Sequence, residues 1–183
     1  MRGFLTLATV AACDSDPAAA PSSGRDRTAE NPALDFEGAL DEPRANCSPA
    51  PPEPTGDAHG DCVARINQLR LECQGLPPLA RWTEGEDCAD AHAEYDSTAD
   101  SFHAGFADNI CSPRGNAQNE CPGWDSVEAT RVDCLQQMWD EGPGEPFEAH
   151  GHYINMSNRA YAKVACGFFT TPTGDVWSVQ NFN

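Results

Sequence analysis

The sequence predicts an α+β domain, because helical and strand patterns occupy separate parts of the chain. Between residues 61 and 139, apolar residues recur three or four positions apart, as they do on the buried face of a helix. Segments 164–169 and 176–182 instead follow strand patterns, and segment 171–175 between them is rich in turn residues. Two strands rarely form a stable sheet alone, so helices are expected to cover them.

Two of the three predicted helices have ordinary start and stop signals. The first begins at Asp61 or Gly60, and its apolar face consists of Val63, Ile66, Leu69 and Cys73. The last begins at Asp125 or Ser126 and stops at Gly142-Pro143. Its apolar positions are Val127, Cys134, Leu135, Met138 and Trp139.

The middle helix follows Thr83-Glu84-Gly85-Glu86, which is typical of a capping box. His103 falls at the end of this helix, and His92 lies on its apolar face, where a hydrogen-bonded core histidine is expected. The predicted apolar face consists of Cys88, Ala91, His92, Tyr95, Ala99 and Phe102.

The chain is strongly acidic, with 29 Asp and Glu against 11 Lys and Arg in 183 residues and a formal net charge of −18. Its only lysine is Lys163, and the basic residues form no cluster. Nucleic-acid binding requires Lys and Arg to neutralise phosphates, so the composition excludes nucleic acid as a partner. An acidic surface favours solubility and attracts cations.

The N-terminus has the features of an export signal. Arg2 precedes a mostly apolar run, 3–12, that is about half the length needed to span a bilayer. Val10-Ala11-Ala12-Cys13 is similar to a bacterial lipobox, in which cleavage precedes a cysteine that is then lipidated. We therefore predict a lipoprotein-type signal peptide over residues 1–12 and lipidation of Cys13. The alternative is an ordinary signal peptide, which would give a secreted protein.

Residues 13–60 are predicted to form an acidic Pro/Ala-rich linker. Large apolar residues are scarce there, so this segment cannot bury enough surface to offset its conformational entropy. The folded domain is predicted over residues 61–183. A disulfide from Cys47 to that domain would move the boundary upstream.

The cysteine count agrees with export. Of nine cysteines, lipidation of Cys13 leaves an even eight, which can form four disulfides. Cys62 and Cys73 are expected on one helix three turns apart, beyond disulfide reach. Cys111 and Cys121 flank a loop and are the preferred local pair, and no spacing matches a zinc finger. The eight candidates are Cys47, Cys62, Cys73, Cys88, Cys111, Cys121, Cys134 and Cys166.

Several motifs together resemble the CAP superfamily, the cysteine-rich secretory, antigen 5 and pathogenesis-related 1 proteins. They occur in the family's order from about residue 61 to the C-terminus: Asn67-Gln68-Leu69-Arg70, Gly75-Leu76-Pro77-Pro78-Leu79-Ala80-Arg81-Trp82, Phe102-His103, Ala107-Asp108-Asn109-Ile110, His150-Gly151-His152-Tyr153-Ile154-Asn155-Met156 and Cys166-Gly167. The resemblance implies an α-β-α sandwich with a small antiparallel sheet between helix layers. With the lipobox, it suggests a bacterial lipoprotein-like member.

The resemblance also implies a cleft in which two histidines and two acidic residues can bind zinc or another divalent cation. The matching positions are His103, Asp108, Glu141 and His152. Asp108 stands where glutamate is usual, and Glu141 follows the helix tryptophan by two residues rather than three. A carboxylate at a helix C-terminus is unfavourable, so a cation or His152 is expected to compensate Glu141.

Other residues of the signature have secondary roles in this interpretation. Tyr153 and Asn155 are candidate binding residues of the cleft, with packing and hydrogen bonding as their expected contribution. His150 and His152 alternate, so in an extended segment both would face one side, with His150 exposed or an auxiliary ligand.

The resulting functional prediction is an exported, lipid-anchored CAP-domain protein that presents a His/acid cleft at the cell envelope. Its partners would be the membrane, through the anchor, and a metal, lipid, small-molecule or protein ligand. One alternative is a hydrolase that uses the His/acid cluster, but Ala104 replaces the serine that commonly follows the first histidine, which argues against an enzyme. The other alternative is a structural surface module stabilised by disulfides.

Overall fold

A computed structural model describes residues 38–183. The predicted signal peptide over 1–12, the lipidation site Cys13 and the linker before residue 38 lie outside the described residues. No helix within 38–183 is long and apolar enough to cross a membrane.

The first helix is built as its apolar spacing predicts. Helix α1 spans Ala58–Gln68 and continues as a π-helical turn, Leu69–Cys73. Its N-cap is Asp57, whose side chain accepts a hydrogen bond from the Gly60 N–H, so the helix begins earlier than predicted. The predicted apolar residues are all buried: Val63, Ile66, Leu69 and Cys73.

The second helix is shorter than predicted. A 3₁₀ turn, Thr83–Gly85, precedes α2, Glu86–Ala99. The predicted capping box does not form, because the Glu86 carboxylate binds Arg81 instead and the N-cap, Gly85, makes no side-chain bond. Asp100 ends the helix in a left-handed conformation, which leaves Phe102 of the predicted apolar face 64% exposed.

The third helical region comprises α4, Val127–Ala129, a π-helical turn, Thr130–Cys134, and α5, Leu135–Asp140. Ser126 is its N-cap, with Oγ accepting from the Ala129 N–H at 3.0 Å, as predicted. A short helix α3, Ala104–Asp108, lies earlier in the chain, and α6 spans Phe147–Ser157.

Helix α6 corrects the expectation of an extended segment at His150 and His152. Two residues along a helix point about 200° apart rather than to one side. The two imidazoles accordingly have different partners: Nδ1 of His150 contacts the Glu141 carbonyl oxygen at 2.7 Å, whereas Nδ1 of His152 contacts the Glu141 carboxylate.

A four-stranded sheet has the order β1-β3-β4-β2. Its strands are β1, Ala80–Arg81; β2, Ala117–Trp124; β3, Lys163–Thr170; and β4, Val176–Phe182. β3 and β4 confirm the predicted strands, but β1 pairs in parallel with β3, so the sheet is mixed rather than antiparallel. The sequence did not indicate β2, because three of its four buried residues, Gln118, Asn119 and Glu120, are polar.

Helices cover both faces of this sheet, which confirms the α-β-α sandwich. Ala165, Trp177 and Val179 pack with Ala89 and Ala93 of α2 on one face. On the opposite face, Val164, Cys166 and Phe182 join a larger core with α1, α5 and α6. Successive side chains of a strand point to opposite faces of the sheet, so neighbouring residues of β3 and β4 join different cores.

Helix α2 lies very close to the sheet at one glycine. A Cβ built on Gly167 would lie 2.1 Å from the Ala89 carbonyl carbon, so any side chain there would force the layers apart.

Four disulfides join all eight predicted cysteines: Cys47–Cys73, Cys62–Cys166, Cys88–Cys111 and Cys121–Cys134. Cys62 and Cys73 do not pair with each other, as their separation along the first helical region predicts. The preferred pair Cys111–Cys121 was wrong, because Cys111 lies beside α2 whereas Cys121 is on β2 and faces the helical turn that carries Cys134.

Residues 38–57, which we call the strap, are held against the domain. Besides the Cys47–Cys73 bond, buried donors bind its carbonyl oxygens: Arg65 binds Pro49 at 2.8 Å and Arg131 binds Pro52 at 2.8 Å. The disulfide from Cys47 to the domain, which the sequence left open, is therefore present, and Cys47 packs with the domain.

Candidate functional site

Two adjoining cavities form a cleft along β2 and α6, and His152 lines both. The larger, about 670 Å³, includes Glu120, Trp124, Met138, Glu141 and His152 in its wall. The smaller, about 450 Å³, is lined in part by His103, Phe106, Gln118, Phe147, His152 and Asn155. The cleft therefore combines imidazole, carboxyl and aromatic groups.

His152 is fixed by Glu141. Its Nδ1 lies 2.5 Å from Glu141 Oε1, and its backbone N–H donates to Oε2 at 3.0 Å. Glu141 is the C-cap of α5, where the helix dipole disfavours a negative charge, and His152 supplies the compensation expected from the sequence. With Nδ1 occupied, Nε2 is the ring nitrogen left for a ligand.

His103 is fixed by β2. It adopts a left-handed backbone conformation, φ 58°, which is uncommon for a residue with a side chain. Its N–H donates to Glu120 Oε2 at 2.8 Å, and its Nδ1 lies 2.7 Å from Gln118 Oε1, an acceptor that places the ring proton on Nδ1. As at His152, Nε2 is left for a ligand.

Glu120 is a buried acid in the wall of the cleft. Its side chain is 2% exposed, and burial raises its pKa to about 8, with the nearby charge of Asp96 acting in the same direction and the His103 N–H opposing it. Its Oε1 has no hydrogen-bond partner among the described residues. Near neutral pH this carboxyl is therefore largely protonated, with one oxygen unpartnered.

Asp108 does not join His103. It accepts a hydrogen bond from the Tyr95 hydroxyl at 2.9 Å, at the end of α3. Glu120 and Gln118 occupy the place beside His103 that the sequence assigned to Asp108. The signal that could have found them is the run of amide and carboxyl side chains in Gln118-Asn119-Glu120.

The two signature residues beside His152 have different positions. Asn155 lines the cleft and donates to Asn119 Oδ1 at 2.9 Å. Tyr153 is buried, and its hydroxyl donates to Gln74 Oε1 at 2.8 Å. Its ring contacts Trp139 edge to face, with 5.1 Å between centroids, so Tyr153 packs in the core.

Of the four predicted metal ligands, His152 therefore pairs with Glu141, His103 is held by residues of β2, and Asp108 is bound by Tyr95. Within residues 38–183, one group of three His, Cys, Asp or Glu residues has all its ligand atoms within 4.8 Å of one another, and it is a different one: Cys88, His92 and Cys111. The two sulfurs of that group are joined in a disulfide, so it could hold a metal ion only after reduction, and this group was not predicted from the sequence.

Residues 63–182 match the family model described as CAP, the cysteine-rich secretory protein family, and the chain belongs to that family. No curated protein sequence matches it significantly.

Three solved structures illustrate what the chain is similar to. BmVAL-1 is 16% identical over 75% of this chain and 81% of its own, with a TM-score of 0.44. Na-ASP-1 is 17% identical over 79% of this chain and 42% of its own, with a TM-score of 0.46. Schistosoma mansoni venom allergen-like protein 4 is 12% identical over 69% of this chain and 85% of its own, with a TM-score of 0.38.

Proposed function

We propose that this CAP-domain protein binds a divalent cation, with zinc as the first candidate, through Nε2 of His103 and of His152. The observation that carries the proposal is that both imidazoles have Nδ1 fixed by a protein oxygen, at 2.7 Å and 2.5 Å, and line the same cavity. Metal-binding histidines usually have this arrangement, in which the second ring nitrogen bonds to a carboxylate or carbonyl oxygen.

The acidic groups of the cleft fit a cation. Glu141 supports one histidine directly, and a cation at the unpartnered Oε1 of Glu120 would displace the proton that this buried carboxyl holds near neutral pH. Two imidazoles with carboxyl oxygens form a donor set that zinc accepts. A site with two protein nitrogens would keep coordination positions for a ligand.

The neighbouring aromatic groups suggest the character of that ligand. Phe106 and Phe147 line the cavity that contains both histidines, and Phe147 is 53% exposed. A small amphipathic molecule or lipid would fit this cavity, with an anionic group bound to the cation and an apolar portion packed on these rings.

The proposal includes export and a lipid anchor at Cys13. Four disulfides support an oxidising compartment outside the cytosol, and Val10-Ala11-Ala12-Cys13 supports lipidation. Replacing Cys13 with serine should move the protein from the membrane to the soluble fraction. Unchanged membrane partitioning of Cys13→Ser would refute the anchor.

No specific observation favours the hydrolase alternative. Of the described residues that line the two cavities, none is a serine or threonine, and Cys134 is in a disulfide.

Zinc titration of the oxidised protein tests the cation site. A hundredfold excess over Kd should stabilise the native state by about 2.7 kcal/mol. His103→Ala/His152→Ala should abolish the response. The matched control His59→Ala/His150→Ala also removes two histidines but should retain it. Equal responses in all three proteins would refute the site and leave the structural module.

A further inference from the structure

The cluster of Cys88, His92 and Cys111 lies outside the cleft. Cys88 and His92 are one turn apart on α2, and His92 Nε2 lies 3.9 Å from Cys88 Sγ and 3.3 Å from Cys111 Sγ. The two sulfurs are joined in a disulfide. His92 is fully buried, so its ring is held facing this bond.

We propose that the reduced form of this disulfide is a zinc site formed by Cys88, His92 and Cys111, so that the disulfide and the bound metal exclude each other. Tetrahedral zinc, with Zn–S near 2.3 Å and Zn–N near 2.0–2.1 Å, requires about 3.6 Å between nitrogen and each sulfur. The observed 3.9 Å and 3.3 Å lie on either side of that value. To bind zinc, the two sulfurs must also move apart to about 3.8 Å once the bond between them is broken.

The surroundings of His92 also suit a metal ligand. Its Nδ1 faces two side-chain amides, Gln118 at 3.0 Å and Asn181 at 3.3 Å. When Nε2 binds zinc, Nδ1 carries the ring proton and needs an acceptor. Turning both amides by 180° supplies their carbonyl oxygens. The turned Gln118 amide then donates to His103 Nδ1, which places the His103 ring proton on Nε2, so zinc at His92 and a cleft cation on His103 Nε2 exclude each other.

A reductant can reach this disulfide more readily than two of the others. Cys111 is partly exposed and follows Ile110, which is 38% exposed. Both cysteines are buried in Cys62–Cys166 and in Cys121–Cys134. Access of a thiolate to a sulfur governs the rate of exchange, so these two bonds should survive mild reduction.

The redox step is an ordinary exchange with a dithiol. A thiolate of the dithiol attacks Cys111 Sγ, the bond to Cys88 breaks, and the second thiol of the reductant displaces Cys111. The dithiol is oxidised to its disulfide, and Cys88 and Cys111 gain two electrons and two protons. Zinc then displaces the two thiol protons, and the fourth coordination position is open to water. Exchange of the two thiolates with a disulfide oxidant, which is reduced to its dithiol by the two electrons, re-forms the Cys88–Cys111 bond and releases the metal.

The test uses the full chain in a His152→Ala background, so that the cleft does not contribute. After mild dithiol reduction and removal of the dithiol, cobalt(II) is added as a spectroscopic substitute for zinc. We expect one thiolate-to-cobalt absorption site per chain, displaced by zinc, and no such absorption before reduction. Cys88→Ser/Cys111→Ser should lose it, His92→Ala should weaken it, and the matched control Cys47→Ser/Cys73→Ser should retain it.

Three results would overturn the proposal. The absorption could persist in Cys88→Ser/Cys111→Ser, or His92→Ala could bind cobalt as tightly as its parent. The reduced chain could also bind no more tightly in buffer than in denaturing urea, which would show that free thiols rather than a folded site capture the metal. Loss of the cleft response to zinc in oxidised protein would not affect these outcomes.

Discussion

Replacing Glu120 with glutamine should remove a large pH dependence from the stability of the fold. Burial raises the pKa of this carboxyl from 4.5 to about 8. Between these values the native protein keeps the Glu120 proton, whereas the unfolded chain releases it. The contribution of Glu120 to stability is therefore fully present below pH of about 4.5 and is lost as pH rises through about 8.

The magnitude follows from the same shift. Each pH unit in this window should cost about 1.4 kcal/mol, which amounts to roughly 4–5 kcal/mol across it. Glutamine has nearly the shape of the protonated acid, and its carbonyl oxygen can still accept from the His103 N–H. Glu120→Gln should thus match the wild type near pH 5 and be more stable by several kcal/mol above pH 8.

Urea unfolding followed by tryptophan fluorescence, at pH values from 5 to 8.5 with a chelator present, measures this difference. Asp96 and His103 also face Glu120, so Asp96→Asn serves as a control; burial raises the pKa of Asp96 as well, and this variant should flatten the profile in part. Parallel pH profiles of wild type and Glu120→Gln would refute the reasoning, because the titration would then belong to other groups.

Three further predictions concern the framework of the domain. The eight cysteines in disulfides should give no reactive thiol when the unreduced protein is denatured and labelled, and two or more thiols per chain would contradict the pairing. Gly167→Ala should destabilise the domain by roughly 3 kcal/mol in urea, because the new methyl group would overlap the α2 backbone; a cost within error of zero would show that the layers can separate. Cys47→Ser/Cys73→Ser should make the strap, residues 38–57, sensitive to limited proteolysis, whereas equal resistance in both proteins would show that the Arg65 and Arg131 hydrogen bonds suffice.

Much of the fold follows from local patterns in the sequence. The face of α1 that contains Ile66 and Leu69 is buried because residues three and four apart share one side of a helix. β3 and β4 follow from alternation, and Ser126 caps its helix because its hydroxyl can reach a free N–H. These features depend on neighbours within a few residues, so the spacing of residues along the chain was sufficient to predict them.

Strand β2 could not be predicted in this way. Gln118 and Asn119 are bound by partners more than thirty residues away, Asn181 and His152, and Glu120 is bound by His103. A polar strand has no apolar alternation to detect. Asp108 was assigned to the cleft from the family resemblance, and Cys121 was paired with Cys111 because the two flank a loop; neither assignment took β2 into account.

The sequence by itself determined the family, the number of disulfide cysteines and four of the cleft residues, His103, Glu141, His152 and Asn155, because these depend on residue identity in a fixed order. Tertiary structure alone decided which cysteines pair, that Glu120 rather than Asp108 supports His103, and that His92 faces a disulfide. Each of these depends on side chains that meet across separate elements. Their distances are set by the packing of α2 and α6 against the sheet, which no local spacing encodes.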